Sequence, residues 1–287
     1  MKFLDGILKI LKIVFWIVLI IIVIVILVSI THTKSNPTPN LAKLELKSMI
    51  INSDDMQRQI DRIKENPSIK GVLLEVNSPG GTMSGSIEIA DLLRELHLPI
   101  VAYDAGVMAS GSYYASIYSD YIVANRGALV GSIGVIFEGF DIENLLAKLG
   151  IQSQTLQAGE YKSAGTFTRQ WTKEEKDYLQ NLVNKQYDLF VSDVRQRRHL
   201  KDTSSTVFAE GKVFTAKQAK ELGLIDEVGS KEDAIKKLLE LIKDKNPKDA
   251  ITKPVWLEKP KVENFRDILI NNVSSKVLST ISSKVWM

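Results

Sequence analysis

The stretch 71–81, GVLLEVNSPGG, joins a short apolar run to a loop of turn-forming residues. Four of its first six residues are aliphatic, which is typical of a buried strand. The Asn-Ser-Pro-Gly-Gly that follows predicts a tight turn where this strand ends. A Gly-Gly pair at that point lets a backbone N–H group face a ligand without an intervening side chain, which suits an oxyanion hole.

Strand and helix patterns alternate on both sides of this stretch. An apolar and polar alternation at 41–46 predicts a strand, and further short apolar runs lie at 99–103 and 121–124. Alternation of this kind predicts an α/β fold with a mostly parallel sheet covered by helices. The predicted helices are 54–64, 83–96, 111–118, 172–200, 215–222 and 231–243.

The N-terminal region contains a long apolar segment. Residues 13–30 include a single polar side chain, Ser29, and as a helix they would span roughly 27 Å, close to the hydrocarbon core of a bilayer. We therefore predict an uncleaved transmembrane anchor. Lys2, Lys9 and Lys12 precede the segment, which favours a cytoplasmic N-terminus and places the body of the chain on the extracytoplasmic side of the cell membrane.

The rest of the chain divides by composition. A polar linker with two prolines follows the anchor, and a stretch with scattered prolines separates the α/β region from an amphipathic pattern at 262–285. That pattern predicts a C-terminal helix that contacts the membrane, a neighbouring subunit or its own domain. The predicted organisation is a cytoplasmic N-terminus (1–12), a transmembrane anchor (13–30), a linker (31–40), an α/β domain (41–243) and a C-terminal extension (244–287).

Composition excludes several classes of protein. The 37 basic and 34 acidic residues leave a net charge of +3, whereas a nucleic-acid-binding protein would normally have a larger basic surplus. The chain has no cysteine, which excludes disulfides, cysteine-based zinc sites and a thiol nucleophile. No metal-binding, nucleotide-binding or other cofactor motif is present, so we expect no cofactor.

Three clusters rich in serine and glycine each follow a predicted strand. This is the end of an α/β sheet where ligand sites usually lie. A serine where a strand meets a helix would present its hydroxyl beside the positive end of the helix dipole. Any one cluster taken alone is more often a simple turn than a site, but three clusters in one α/β unit favour a site. The clusters are 77–81 (NSPGG), 109–114 (ASGSYY) and 131–134 (GSIG).

A serine nucleophile needs a base, and the three histidines are poorly placed to supply one. His97 lies at the opposite end of the predicted sheet, His199 lies in a charged run, and His32 adjoins the apolar segment. A lysine can act as the base if burial keeps it neutral. The candidate is Lys162, which lies among small and aromatic residues, although a lone lysine is ordinarily a solvated surface group.

These motifs, together with GEYK at 159–162 and the later run at 211–226, resemble the S49 family of serine peptidases, the signal peptide peptidase A family. The resemblance covers about residues 60–230 and implies a ClpP/crotonase-like fold of repeated β-β-α units. It also implies a catalytic dyad of Ser110 as nucleophile and Lys162 as general base, with Ser132 orienting the lysine. Gly80 would supply an oxyanion-hole N–H group, and Gly111 is a second candidate.

The sequence departs from the family pattern at two places. Ser112 stands where the family has a second glycine after the nucleophile, which makes Ser112 a rival nucleophile. The run 47–52, KSMIIN, replaces a glycine-containing strand, which puts the N-terminal edge of the fold in doubt without affecting the dyad.

The resemblance implies a membrane-anchored serine endopeptidase that degrades remnant signal peptides or other membrane-associated peptides. We expect peptide substrates, a membrane and further copies of the same chain as partners, with no nucleic acid. Two alternatives stay open: a crotonase-like acyl-CoA hydratase or isomerase, and a catalytically inactive membrane scaffold. The first needs placed carboxylates rather than a Ser-Lys pair, and the second would not need Ser110, Lys162 and Ser132.

Overall fold

A computed structural model describes residues 12, 14–17, 19–20, 37–200 and 203–258. The chain divides into two units, the first ending at Thr38 and the second beginning at Pro39. Residues 12, 14–17 and 19–20 are helical, and most of the predicted anchor at 13–30 lies outside the described residues. Within the described part of the chain, no helix combines the length and apolar character needed to cross a membrane. The amphipathic stretch 262–285 also lies outside the described residues.

The second unit alternates strands and helices along most of its length, as the apolar patterns predict. One exception is β5, which directly follows β4 without an intervening helix and precedes α4. The strands are β1 (Leu41–Lys47), β2 (Gly71–Ser78), β3 (Ile100–Ala109), β4 (Tyr121–Ala124), β5 (Leu129–Gly131), β6 (Val213–Thr215) and β7 (Glu227–Val228). The helices are α1 (Asp54–Lys64), α2 (Met83–Glu95), α3 (Gly111–Ser116), α4 (Glu143–Lys148), α5 (Lys173–Arg197), α6 (Ser205–Phe208), α7 (Ala216–Glu221) and α8 (Lys231–Lys245).

The described strands form one mixed sheet that is mostly parallel. Its order is β1-β2-β3-β4-β7, with all neighbours parallel, while β5 pairs in parallel with β3 and β6 pairs antiparallel with β5. The α/β class with a mostly parallel sheet is therefore confirmed. Parallel neighbours direct their carboxyl ends to the same edge, so the loops after β2, β3 and β5 lie together there.

Helices cover both faces of the sheet, and successive strand residues alternate between them. Leu74 and Ala102 face a core built with α1, α2, α3 and α5, whereas Leu73 and Val101 face a smaller core closed by α8. Side chains on opposite faces of each strand are therefore both buried, which explains the continuous apolar runs in the sequence.

An irregularity in β3 shapes the edge of the sheet that carries the serine clusters. Val76 of β2 is opposite Asp104, but Ser78 is opposite Met108, so β3 contains extra residues between these pairs. Before the irregularity β3 pairs with β4, and after it residues 107–109 pair with β5. This change of partner brings the ends of β3 and β5 side by side.

Part of the predicted C-terminal extension packs on the sheet. Trp256 forms a parallel bridge with Leu41 at the free edge of β1. The Leu257 N–H group donates to the Leu41 carbonyl at 2.7 Å, and the Leu41 N–H group donates to the Val255 carbonyl at 3.1 Å. Residues 255–257 thus cover part of an edge strand that would otherwise present unpaired backbone groups.

Candidate active site

Ser110 lies in a sharp turn between β3 and α3. Its backbone has φ 52° and ψ −126°, a conformation that a non-glycine residue adopts only at a cost of about 1–3 kcal/mol. The Ser110 N–H group donates to the Gly131 carbonyl at 2.7 Å, which fixes the turn to the end of β5. The side chain is half-buried, and its hydroxyl makes no hydrogen bond within the described residues. A strained strand-to-helix turn of this kind presents a serine hydroxyl for reaction.

Ser132 is brought next to Ser110 by the pairing of β3 with β5. Ala109 and Gly131 are opposite each other in register, and each serine follows one of them. Ser132 also has a positive φ of 50°, and its N–H group donates to the Lys212 carbonyl at 2.7 Å. The structure therefore places together two of the serines named from the sequence.

Gly80 packs directly against Ser110. It has φ +96°, and a Cβ atom there would lie 2.7 Å from the Ser110 Cβ and 2.6 Å from the Gly111 nitrogen. Only glycine fits, which explains the Pro-Gly-Gly motif in physical terms. The N–H group of Gly80, however, donates to the Ser78 hydroxyl at 3.2 Å.

Two other backbone N–H groups beside Ser110 have no acceptor within the described residues, those of Gly81 and Gly111. A Cβ on Gly111 would lie 3.3 Å from the Gly81 nitrogen, so the two glycines are neighbours. Unpaired N–H groups next to a nucleophile can stabilise an oxyanion. Gly111 was a second candidate from the sequence, and Gly81 was missed, although it is the second glycine of the same motif.

Ser112, the rival nucleophile named from the sequence, differs from Ser110 in its burial and in its hydrogen bonds. Ser112 is fully buried, and its hydroxyl donates to the Ser78 carbonyl at 2.7 Å. The same oxygen accepts from the Ala109 N–H group at 2.9 Å. Ser112 thus holds the ends of β2 and β3 together and has no access to a substrate.

Lys162 lies in the turn 159–165, far along the chain from the serines. Its side chain is exposed, and within the described residues its ammonium group makes no hydrogen bond or ion pair. The structure therefore does not bring Lys162 into hydrogen-bond contact with Ser110 or Ser132 in one chain. The burial that a neutral lysine base requires is also missing in the single chain.

The region around Lys162 exposes many large apolar side chains. It extends from residue 136 to residue 171 and includes the short helix α4. Soluble proteins rarely expose so many apolar side chains close together in sequence, and such surfaces mark interaction sites. The exposed apolar residues of this region are Ile136, Phe137, Phe140, Leu145, Leu149, Ile151, Leu156 and Phe167.

A buried carboxyl group, which the sequence analysis did not single out, lies at the irregularity of β3. Asp104 is fully buried, and its Oδ1 accepts from the Gly106 N–H group at 2.9 Å. Its Oδ2 has no hydrogen-bond partner within the described residues. Burial raises the pKa of Asp104 to about 7, and the bond from Gly106 lowers the pKa only in part. Elsewhere in the described part of the chain, acidic and histidine side chains nowhere gather in threes as a metal site would require.

Comparison with known proteins points to one family. The family model for peptidase family S49 matches residues 93–245. The chain is 45% identical over 190 residues to a candidate protease of Methanocaldococcus jannaschii, covering 66% of this chain and 61% of the relative. It is 37% identical over 190 residues to a candidate signal peptide peptidase of Enterococcus faecium, covering 65% of this chain and 55% of that protein. The aligned region thus spans somewhat over half the length of these two relatives.

A ClpP1 variant from Listeria monocytogenes is among the similar solved structures. It matches with a TM-score of 0.48 and 11% identity. The match covers 67% of this chain and 94% of that chain.

Proposed function

The chain belongs to peptidase family S49, and on this premise we propose that it is a membrane-anchored serine endopeptidase with a Ser-Lys dyad. Its substrates would be remnant signal peptides or other membrane-associated peptides. The observation that carries the proposal is the environment of Ser110. Its hydroxyl lies in a strained turn beside the N–H groups of Gly81 and Gly111, and none of these three groups has a hydrogen-bond partner in the part of the chain that the structure describes.

The reaction uses the serine hydroxyl and a neutral lysine amine. Ser110 Oγ attacks the carbonyl carbon of the scissile peptide bond, and Lys162 Nζ accepts the hydroxyl proton. The N–H groups of Gly81 and Gly111 stabilise the oxyanion, and Gly80 could do so only if its N–H group left the Ser78 hydroxyl. Collapse of the tetrahedral intermediate breaks the C–N bond, and the lysine ammonium returns the proton to the leaving amine. Water then hydrolyses the Ser110 ester with Lys162 again accepting and returning a proton.

The dyad is completed between copies of the chain. Lys162 is exposed and unpaired within the described residues, and it lies in a region whose apolar side chains are also exposed. Packing of this region against a second copy would bury both the apolar side chains and the lysine. Burial would then favour the neutral form that a base requires. Ser132 of the copy that contributes Ser110 would accept a hydrogen bond from the lysine amine of the other copy.

The segment 13–30 anchors the enzyme, and the catalytic domain lies on the extracytoplasmic side. This arrangement follows from the length and apolar character of the segment and from the lysines that precede it. An anchored enzyme would meet hydrophobic peptides close to the bilayer from which they come.

A fluorophosphonate probe tests the serine nucleophile in the purified full-length protein in detergent. We expect the wild type to be labelled and Ser110→Ala to be unlabelled and inactive. Labelling of neither protein would favour the inactive scaffold or the crotonase-like enzyme. Persistent labelling of Ser110→Ala would place the nucleophile elsewhere.

Turnover of a fluorogenic peptide tests the lysine base. Lys162→Ala and Lys162→Arg should both abolish turnover with folding intact, because arginine stays protonated at any working pH. Appreciable activity of the arginine variant would remove Lys162 from the role of base.

A further inference from the structure

Both neighbours of Lys162 in the chain are held in place. Tyr161 contacts a residue of α5, and Ser163 is bound by Arg169, which lies just before α5. The Tyr161 ring stacks on the Tyr178 ring, with centroids 4.7 Å apart and an angle of 28° between the planes. On the other side, Arg169 Nη2 donates to the Ser163 hydroxyl at 3.0 Å. The backbone at Lys162 is therefore held from both sides, although its own side chain makes no hydrogen bond or ion pair with any described residue.

Arg169 is itself held by a two-point ion pair with Glu175. Its Nη2 and Nη1 donate to the two carboxylate oxygens at 2.6 Å and 2.8 Å. The Glu175 side chain is only 6% exposed, so the pair is partly shielded from water. Bidentate pairs of this kind fix the guanidinium plane as well as its position.

Glu175 is in turn part of the helix start. Its carboxylate accepts from the Thr172 N–H group at 2.9 Å, and the Thr172 hydroxyl accepts from the Glu175 N–H group at 3.2 Å. This capping box ties the carboxylate to the first turn of α5. The bond from Arg169, and then the bond from Thr172, lower the pKa of Glu175 to about 2, so it stays charged at any working pH.

The helix that carries these contacts is firmly packed at its far end. Phe190 and Val194 are buried in the larger core, and the centroid of the Phe190 ring lies 5.2 Å from the centroid of the Tyr114 ring of α3. A turn attached to α5 therefore takes its position from the domain core rather than from the exposed region around it.

We infer that Arg169 is a positioning residue for the lysine base. It binds Ser163 beside Lys162, and Glu175 holds Arg169 itself in place. The inference rests on the proposed dyad and adds to it. A lysine side chain has about 2 kcal/mol of rotamer freedom and reaches its target only from a well-placed backbone. Loosening the turn should therefore lower the rate of proton transfer while leaving peptide binding unchanged.

The test replaces Arg169 by glutamine in the full-length protein and compares it with Lys173→Gln. Both changes remove one positive charge near the start of α5. Lys173, however, pairs with Asp177 at 2.9 Å on the surface and does not contact the Lys162 turn. Since misplacement by about 1 Å can cost about a hundredfold in rate, we expect Arg169→Gln to lower kcat about 10- to 100-fold. KM should stay within about twofold, and Lys173→Gln should match the wild type in both constants.

Ser163→Ala provides the second variant, because removal of one hydroxyl is well tolerated even where loss of arginine is not. It should also lower kcat, and combining it with Arg169→Gln should add little, since both changes break the same contact. Normal kcat in both single variants, with Ser110→Ala and Lys162→Ala inactive, would overturn the positioning role alone. Activity of Ser110→Ala or Lys162→Ala would overturn the dyad itself.

Discussion

Replacement of Asp104 by asparagine should stabilise the protein above neutral pH and change its stability little in acid. Asp104 is fully buried, its Oδ2 has no partner within the described residues, and its pKa is raised to about 7 from 3.8. Asparagine keeps an oxygen that can accept the bond from Gly106 and carries no charge at any pH. The variant therefore isolates the cost of burying the ionised carboxylate.

The size of the effect follows from the two proton affinities. One pKa unit corresponds to about 1.4 kcal/mol, so a pKa of about 7 in the folded state against 3.8 in the unfolded state corresponds to about 4 kcal/mol. Below pH 3.8 the carboxyl is protonated in both states and costs nothing. As the pH rises towards 7, the unfolded chain ionises first, and the wild type loses stability. Above pH 7 the full cost of about 4 kcal/mol applies.

Urea unfolding of the full-length wild type and Asp104→Asn in the same detergent would measure this difference at pH 4 and pH 8. We expect a gap in the free energy of unfolding below about 1 kcal/mol at pH 4 and of about 4 kcal/mol at pH 8, with the variant more stable. Every other titrating group is common to both proteins and cancels in the comparison. An equal gap at both pH values, or a less stable variant at pH 8, would refute the reasoning.

Two further predictions concern the dyad. Ser110→Ala and Lys162→Ala chains are each expected to be inactive alone. When they are unfolded together and reassembled in equal amounts, about a quarter of wild-type activity should return. The reason is that about a quarter of the sites then combine an intact serine with an intact lysine from a neighbour. Recovery of no activity from verified mixed oligomers would place both residues of the dyad in the same chain. Ser112→Gly should keep fluorophosphonate labelling of Ser110 but lower the free energy of unfolding by about 1–3 kcal/mol, since it removes a buried hydroxyl with three hydrogen-bond contacts. Loss of labelling in a folded Ser112→Gly protein would reopen the choice of nucleophile.

Features that depend on near neighbours in the chain could be predicted from the sequence. The capping box at Thr172 and Glu175 is formed by groups three residues apart, so its residue types are enough to place the start of α5. The apolar run at 71–76 and the glycines after it likewise predict β2 and its turn. A strand buried on both faces needs an apolar residue at nearly every position, and a backbone with positive φ needs glycine, so each requirement is visible in the residue type itself. The strand-to-helix position of Ser110 follows from the same local patterns.

Features that depend on distant parts of the chain required the tertiary structure. The change of partner within β3, from β4 to β5, brings Ser132 beside Ser110, and strand pairing of this kind leaves no local signature. The Gly80 N–H group donates to the Ser78 hydroxyl, whereas the N–H groups of Gly81 and Gly111 have no acceptor among the described residues. Whether a lysine is buried depends on everything that packs around it, and in the single chain Lys162 stays exposed. The sequence by itself thus determined the residue types of the site and the order of its elements, whereas long-range packing decided which of their polar groups are free to react.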